Sequence, residues 1–303
     1  MACKTPKKAF SGTVKMQITQ IKLLLLLYKS RYNNADMRGK GITVVELLIV
    51  IAVIAVLMSI LVPISHTARE QTKALVCGSH LKQLSLALTT YAQVNETFPY
   101  GFDDSEYYMV WPPPRYPGNI MYDLQGWWWF TSVEGGLMDY TDPKSIFWCP
   151  SRNIQDMGPR VNILCGNYGV NQSICKDAPR MINSEFFGTP LALYQIRRPS
   201  DTLLITDSGY SLISWKGVTN ASVRPFENPA REGSFYVPGI SKINKERVIL
   251  PSQQADAIDG RHLNRTVNVG FVDGHVSRLK ADDLLVEEID GQYNNRSPLW
   301  LSE

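Results

Sequence analysis

Residues 47–64, LLIVIAVIAVLMSILVPI, form a run of eighteen residues without a charge, interrupted only by Ser59 and Pro63. With residues 42–45 before it, the stretch reaches the length at which a helix crosses a hydrocarbon core. An earlier apolar run, residues 23–27, is far too short for that. A cleaved secretory signal needs a small-x-small pattern after its apolar core. None follows here, and the sequence goes on in helical rhythm.

From Ile64, apolar or small residues recur at Ala68, Leu75, Leu81, Leu84, Leu88 and Tyr91, while Arg69, Glu70, Lys73, Lys82 and Gln83 take other faces. Steps of three, four and their sums describe a helix with one buried stripe. The spacing predicts one helix over residues 42–94, apolar all round in its first part and amphipathic in its second. Pro63 removes a backbone hydrogen bond and predicts a kink.

Charge is distributed unevenly. Of 31 Lys and Arg and 28 Asp and Glu, nine bases and one acid fall in residues 1–41, leaving 22 bases against 27 acids after it. A basic end before an apolar run follows the positive-inside pattern. Nucleic-acid binding is not expected, because no basic face continues into the acidic remainder. With 44% hydrophobic and 19% charged residues the chain has the composition of a folded protein, and its length accommodates a membrane segment plus one globular domain.

Beyond Phe98 the texture changes to Pro, Gly, Trp and Tyr, with a triplet at Trp127, Trp128 and Trp129. Residues 201–207 and 266–272 read as strands. Asp273–Gly274 reads as a two-residue hairpin turn leading into residues 275–279. Val267, Val269 and Phe271 alternate with Asn268, Gly270 and Val272 in the manner of a half-buried strand. Residues 216–260 read as a polar excursion loop. The expected fold class is α+β: a long N-terminal helix laid against an antiparallel sheet.

Five cysteines are present: Cys3, Cys77, Cys149, Cys165 and Cys175. Cys3 lies in the basic end. The other four allow three disulfide pairings, or stay as buried thiols. No C-x-x-C spacing supports zinc or thioredoxin-type chemistry. His262, Asp273 and His275 offer imidazole and carboxylate donors for a metal; the competing role of Asp273–Gly274 is the turn alone. Asp207, at a strand end, is a further candidate for such a cluster or for capping a turn. Ser208 has no suitably spaced base, and no P-loop or G-x-G-x-x-G occurs. Trp111 and the Trp triplet suit either a sugar-stacking platform or core packing.

The string Arg38-Gly39-Lys40-Gly41-Ile42-Thr43-Val44-Val45-Glu46-Leu47 sets basic residues before a glycine, an apolar run after it, and one carboxylate at the fifth position beyond. It resembles the type III signal of type IV pilins and type II secretion pseudopilins. The resemblance implies prepilin-peptidase cleavage after Gly41, N-methylation of Ile42 (where the family usually has Phe), and a role for Glu46 in assembly. A lone carboxylate within a membrane helix costs ~2.5–3.5 kcal/mol on insertion scales. The new α-amino group of a neighbouring subunit would supply its partner.

The segments Cys77-Gly78-Ser79-His80-Leu81-Lys82-Gln83-Leu84 and Phe147-Trp148-Cys149-Pro150 are similar to parts of large pseudopilin-like proteins of planctomycete type, with His80 in place of Asn. Arg261-His262 and Asp273-Gly274-His275 resemble their H-x9-DG segment, with ten intervening residues here. The resemblance implies a Cys77–Cys149 bridge, leaving Cys165 and Cys175 as a local pair. It also implies a pilin-like layout: residues 1–41 a leader, 42–64 a transmembrane half-helix, 65–95 its amphipathic half, and 96–303 a β-rich domain. Met37 would give an ordinary short leader, so translation is expected to start there.

The expected function is that of a non-enzymatic structural subunit of a pseudopilus or pilus-like filament. It would sit in the inner membrane by a single pass, with its C-terminal domain periplasmic or extracellular. Expected partners are prepilin peptidase, other pseudopilins or further copies, and an assembly ATPase with its inner-membrane platform. No cofactor is expected, although calcium occurs in some major pseudopilins. Two alternatives belong to other classes: a pilin-anchored module binding glycan or another surface polymer, and a membrane-tethered metal-dependent hydrolase.

Overall fold

The computed structural model describes residues 43–103, 127–130, 144–152, 166–178, 185–221 and 235–300. The chain divides into two compact units, residues 1–67 and 68–303. Helix α1, Val44–Val94, runs from the first into the second and includes Pro63. Its extent matches the periodicity to within two residues at the start.

Within the first unit, α1 opens on a capping box. Thr43 precedes the helix, and Glu46 Oε2 accepts hydrogen bonds from the Thr43 amide, at 2.9 Å, and from its hydroxyl, at 3.0 Å. The Glu46 amide in turn donates to Thr43 Oγ1. Two orphan donors of the first turn are thereby satisfied. Beyond it, Val44, Val45, Leu47, Leu48, Val50, Ile51, Ile54, Leu57, Met58, Leu61, Val62 and Ile64 are all exposed. An apolar surface this continuous marks a membrane or protein interaction site, and the helix is long and apolar enough to cross a membrane.

In the second unit, α1 buries one stripe: Ala74, Cys77, Leu81, Leu84, Ser85, Ala87, Leu88 and Ala92. Each buried leucine removes enough apolar area from water to contribute about 1.5–3 kcal/mol. Two short strands, β1 (Phe102–Asp103) and β2 (Trp127–Trp128), pair antiparallel. The main sheet has five strands: β3 (Tyr168–Asn171), β4 (Leu203–Asp207), β5 (Leu212–Ile213), β6 (Thr266–Phe271) and β7 (Val276–Lys280), in the order β5-β3-β4-β6-β7. Three of its four pairings are antiparallel, as expected; β3 and β5 run parallel. Strands β8 (Glu287–Ile289) and β9 (Gln292–Asn294) make a separate hairpin.

The sheet is covered on both faces. On one side the α1 stripe packs with Tyr168, Val170, Leu204, Ile205, Trp128, Trp129, Phe130 and Phe147. On the other, Leu203, Val267, Val269 and Phe271 pack with Trp215, Ile240, Leu284, Val286 and Trp300. Strand β6 therefore differs from the expected half-buried strand. Its Asn268–Gly270 face meets α1 instead of water, because the helix lies over it: the Asn268 amide group reaches the Ala74 carbonyl at 3.3 Å.

Gly270 makes that approach feasible. A Cβ there would stand 2.2 Å from Ser85 Oγ on α1 and 2.9 Å from Ile205. Gly270→Val is expected to destabilise the protein by about 1–3 kcal/mol, the usual cost of overpacking a core. Gly270→Ala should cost less. Denaturant midpoints followed by near-ultraviolet circular dichroism would measure both.

Two sequence expectations need correction. The β6–β7 turn is not a two-residue Asp-Gly turn. The Gly274 amide donates to Phe271 O and the Phe271 amide to His275 O, so Val272, Asp273 and Gly274 form a three-residue loop with Gly274 left-handed at φ 84°. Val272 leaves the ladder because its side chain enters the core and its amide binds Thr202 O. Residues 216–260 are also more than an excursion loop. Residues 222–234 lie outside the described residues, but the rest holds short helices, Ser241–Asn244 and Gln254–Asp259, and buries Tyr236, Val237, Ile240, Ile243, Gln253 and Asp256.

Candidate functional site

The buried polar residues gather where α1 meets the end of β4. Cys77 lies on the helix stripe. Cys149 follows the 3-10 turn Lys144–Phe147, its amide donating to Asn167 Oδ1 at 3.0 Å. Asp207 ends β4, and His262 stands in extended conformation between the Gln254–Asp259 helix and β6. One ligand-type atom from each of these four residues lies within 4.8 Å of the other three. None of the four is more than 4% exposed.

The two sulfurs are 3.4 Å apart as unbonded thiols. Cys77 also donates to Asp207 Oδ1 at 3.2 Å and accepts from the Tyr168 hydroxyl at 3.2 Å. Asp207 Oδ2 accepts the Asn268 amide at 2.7 Å and lies 3.3 Å from His262 Nε2. The other ring nitrogen, Nδ1, is buried without a hydrogen bond of ordinary geometry.

Arg261 closes the group. Its guanidinium grips Asp256 through two contacts, of 2.9 and 2.7 Å, and donates to the carbonyls of Asn167 and Ser208. It also stands 3.9 Å from Asp207. Tyr236 donates its hydroxyl to Asp256 at 2.8 Å. His80, one turn along α1 from Cys77, places Nδ1 3.0 Å from the Trp148 carbonyl and 3.3 Å from the Tyr168 hydroxyl.

These neighbours set the protonation states. Burial alone would lower His262, but the Asp207 carboxylate raises it to about 9. Burial alone would raise Asp207; the charge and hydrogen bond of His262, with Arg261 and the Asn268 amide, hold it below the usual carboxylate range. Burial likewise opposes ionisation of Cys149, yet its contacts with Cys77 and His262 and the charge of Arg261 bring it down to about 6. Cys77 is pushed well up, first by burial and then by Cys149 and Asp207. The group therefore concentrates negative charge on Cys149 and Asp207.

A thiolate beside an imidazole and a carboxylate is also the donor pattern of a cysteine nucleophile. Here all three side chains are buried. The same set matches the donors of a closed transition-metal centre.

The sequence-flagged residues fall in several places. His262 joins the cluster, whereas Asp273 and His275 sit at the β6–β7 turn, with β6 between. There Asp273 Oδ1 accepts from the His275 amide and faces its ring at 2.6 Å, at a partly exposed position. The three do not converge. Cys175 is a buried free thiol, pushed up by burial, and Cys165 lies outside the described residues. Gly41 and Ile42 also lie outside them. Trp128 and Trp129 are core residues, Trp129 donating to the Ser211 carbonyl, so neither presents a face to a sugar; Trp111 lies outside the described residues.

Asp256 carried no signal of its own in the sequence, and Arg261 was named only beside His262 in the H-x9-DG-like segment. Cys77 and Cys149 stood out as an implied bridge, and Asp207 and His262 as candidates for one metal cluster, but nothing in the sequence joined the two pairs. No family model, curated protein or solved structure matches this chain.

Proposed function

We propose that the chain is a structural subunit of a pseudopilus or pilus-like filament, processed after Gly41 and assembled through α1. The observation that carries this reading is the division of one helix into two surfaces. Residues 44–64 bury none of their apolar side chains and leave most of them exposed, with Ile49, Val53, Val56 and Ile60 half-buried, whereas residues 74–92 bury a single stripe. A helix of the first kind needs lipid before assembly and other helices after it. It stands immediately behind the Gly41-Ile42 string, with Glu46 in its first turn.

On this reading the partners are prepilin peptidase, further copies or other pseudopilins, and an inner-membrane platform with its ATPase. The second unit would project into the periplasm or beyond the cell. Cleavage after Gly41 leaves Thr43 and Glu46 in the mature chain, so the capping box survives processing.

Co-expression of the full chain with a prepilin peptidase tests the processing step. The wild-type chain is expected to shorten on immunoblots. Gly41→Leu should leave the longer precursor in the membrane and no filaments in the sheared fraction. Normal shortening of the Gly41→Leu chain would count against the proposal.

A further inference from the structure

We propose that Cys77, Cys149, Asp207 and His262 form a closed tetrahedral site for a divalent transition metal of zinc type, which staples α1 to the sheet. The donor set is two sulfurs, one imidazole nitrogen and one carboxylate oxygen. Zinc binds such donors at about 2.0–2.3 Å, which gives tetrahedral edges of roughly 3.3–3.8 Å. The sulfurs are 3.4 Å apart, one Asp207 oxygen is 3.2 Å from Cys77 Sγ and the other is 3.3 Å from His262 Nε2, and one donor atom of each residue lies within 4.8 Å of the other three. Turning the carboxylate to present one oxygen, and drawing in the separations that reach up to 4.8 Å, would place one ion among all four.

The surroundings are those of a held site. Asn268 fixes Asp207 through its amide, Asn167 fixes the Cys149 backbone, and the Tyr168 hydroxyl orients the Cys77 sulfur. Outer contacts of this kind orient metal ligands and sustain affinity. Arg261, held by Asp256, places its guanidinium 3.9 Å from Asp207, beside a site where two thiolates and a carboxylate outnumber the charge of a divalent ion. Binding needs both sulfurs as thiolates and the ligating His262 nitrogen unprotonated; the protons so displaced leave to solvent, and no oxidation state changes.

The four ligands come from α1, the segment after the Lys144–Phe147 turn, the end of β4 and the approach to β6. One ion would thus join four separate stretches of chain, and the absence of an open coordination position makes its role structural. A Cys77–Cys149 disulfide is the competing fate of the two sulfurs in an oxidising compartment. It would leave the buried Asp207–His262 pair unexplained, whereas the metal engages all four side chains.

The test is metal analysis of the full chain, purified in detergent without chelator. About one zinc per chain is expected, with two sulfur and two nitrogen or oxygen neighbours at the zinc X-ray absorption edge. Cys77→Ser and His262→Ala should each lower the bound metal at least about tenfold. Cobalt exchanged into the wild-type chain should give a thiolate charge-transfer band and a tetrahedral ligand-field spectrum, a readout that needs no variant to fold. A metal-free wild-type chain would overturn the proposal, whether peptide mapping found a Cys77–Cys149 disulfide or two free thiols. So would an ion without sulfur neighbours, or one retained in both variants. None of these outcomes bears on processing after Gly41.

Discussion

Arg261→Ala is expected to destabilise the second unit by about 3–5 kcal/mol, the usual cost of removing one partner from a buried ion pair. The substitution leaves the Asp256 carboxylate buried, with the Tyr236 hydroxyl as its remaining side-chain donor among the described residues. It also strips a donor from the Asn167 and Ser208 carbonyls. Those two residues border the cluster of Cys149 and Asp207, so the loss spreads into the site. Adding Asp256→Ala should recover part of the stability, because the stranded charge goes with it. Thermal melts of the detergent-solubilised full chain, followed through tryptophan circular dichroism, give the ordering: wild type above the double variant, and the double variant above Arg261→Ala. A near-neutral Arg261→Ala would mean that the pair is not buried as described.

The second large effect concerns Glu46. On the proposed role, Glu46→Val should be processed normally and yield no filaments. The capping box, with its Thr43-x-x-Glu46 signature, adds a distinction. Glu46 already has a partner inside its own chain, Thr43, so part of the cost of placing a carboxylate in an apolar helix is met locally. Cap and charge can be separated. Glu46→Gln keeps a side-chain acceptor for the Thr43 amide and removes the charge. If the α-amino group of a neighbour is the assembly partner, Glu46→Gln should assemble as poorly as Glu46→Val. Filament recovery at the wild-type level from Glu46→Gln would assign Glu46 to capping alone. Sheared-fraction immunoblots report the yield, and the mature-length band confirms that cleavage is intact.

The parts of this fold legible from sequence are those governed by local periodicity. The three-four spacing through Leu81, Leu84 and Leu88 located the helix and the later part of its buried stripe, because those residues must share a face to be buried together. Ile64, Ala68 and Leu75, read on the same stripe, are exposed, and Ala74 and Cys77 are buried instead. The alternation of Val267, Val269 and Phe271 located β6 and its apolar side. What the pattern could not show was the partner on the other side. Asn268 and Gly270 read as a solvent face, yet Gly270 is small so that α1 can lie against it. Residues 235–260 look polar because Asn244, Gln253 and Asp256 are there, but these side chains are buried and bonded. Burial of polar groups depends on partners distant in sequence. The same holds for the site. Cys77 and Cys149 suggested a bridge, and His262 suggested a metal with Asp273 and His275. Only the packing of α1 on the sheet brings the two cysteines to Asp207 and His262. Residue spacing along β6 separates His262 from the turn that carries Asp273 and His275.

The proposed function turns on one bond, between Gly41 and Ile42. Intact-mass and N-terminal peptide analysis of the protein extracted from membranes that contain a prepilin peptidase reads that bond directly. The expected result is a mature chain beginning at Ile42, its α-amino group methylated, with Thr43 and Glu46 retained. A chain that begins at Met37 or upstream of it, or at any residue other than Ile42, would contradict processing at this site and with it the assembly role proposed for α1.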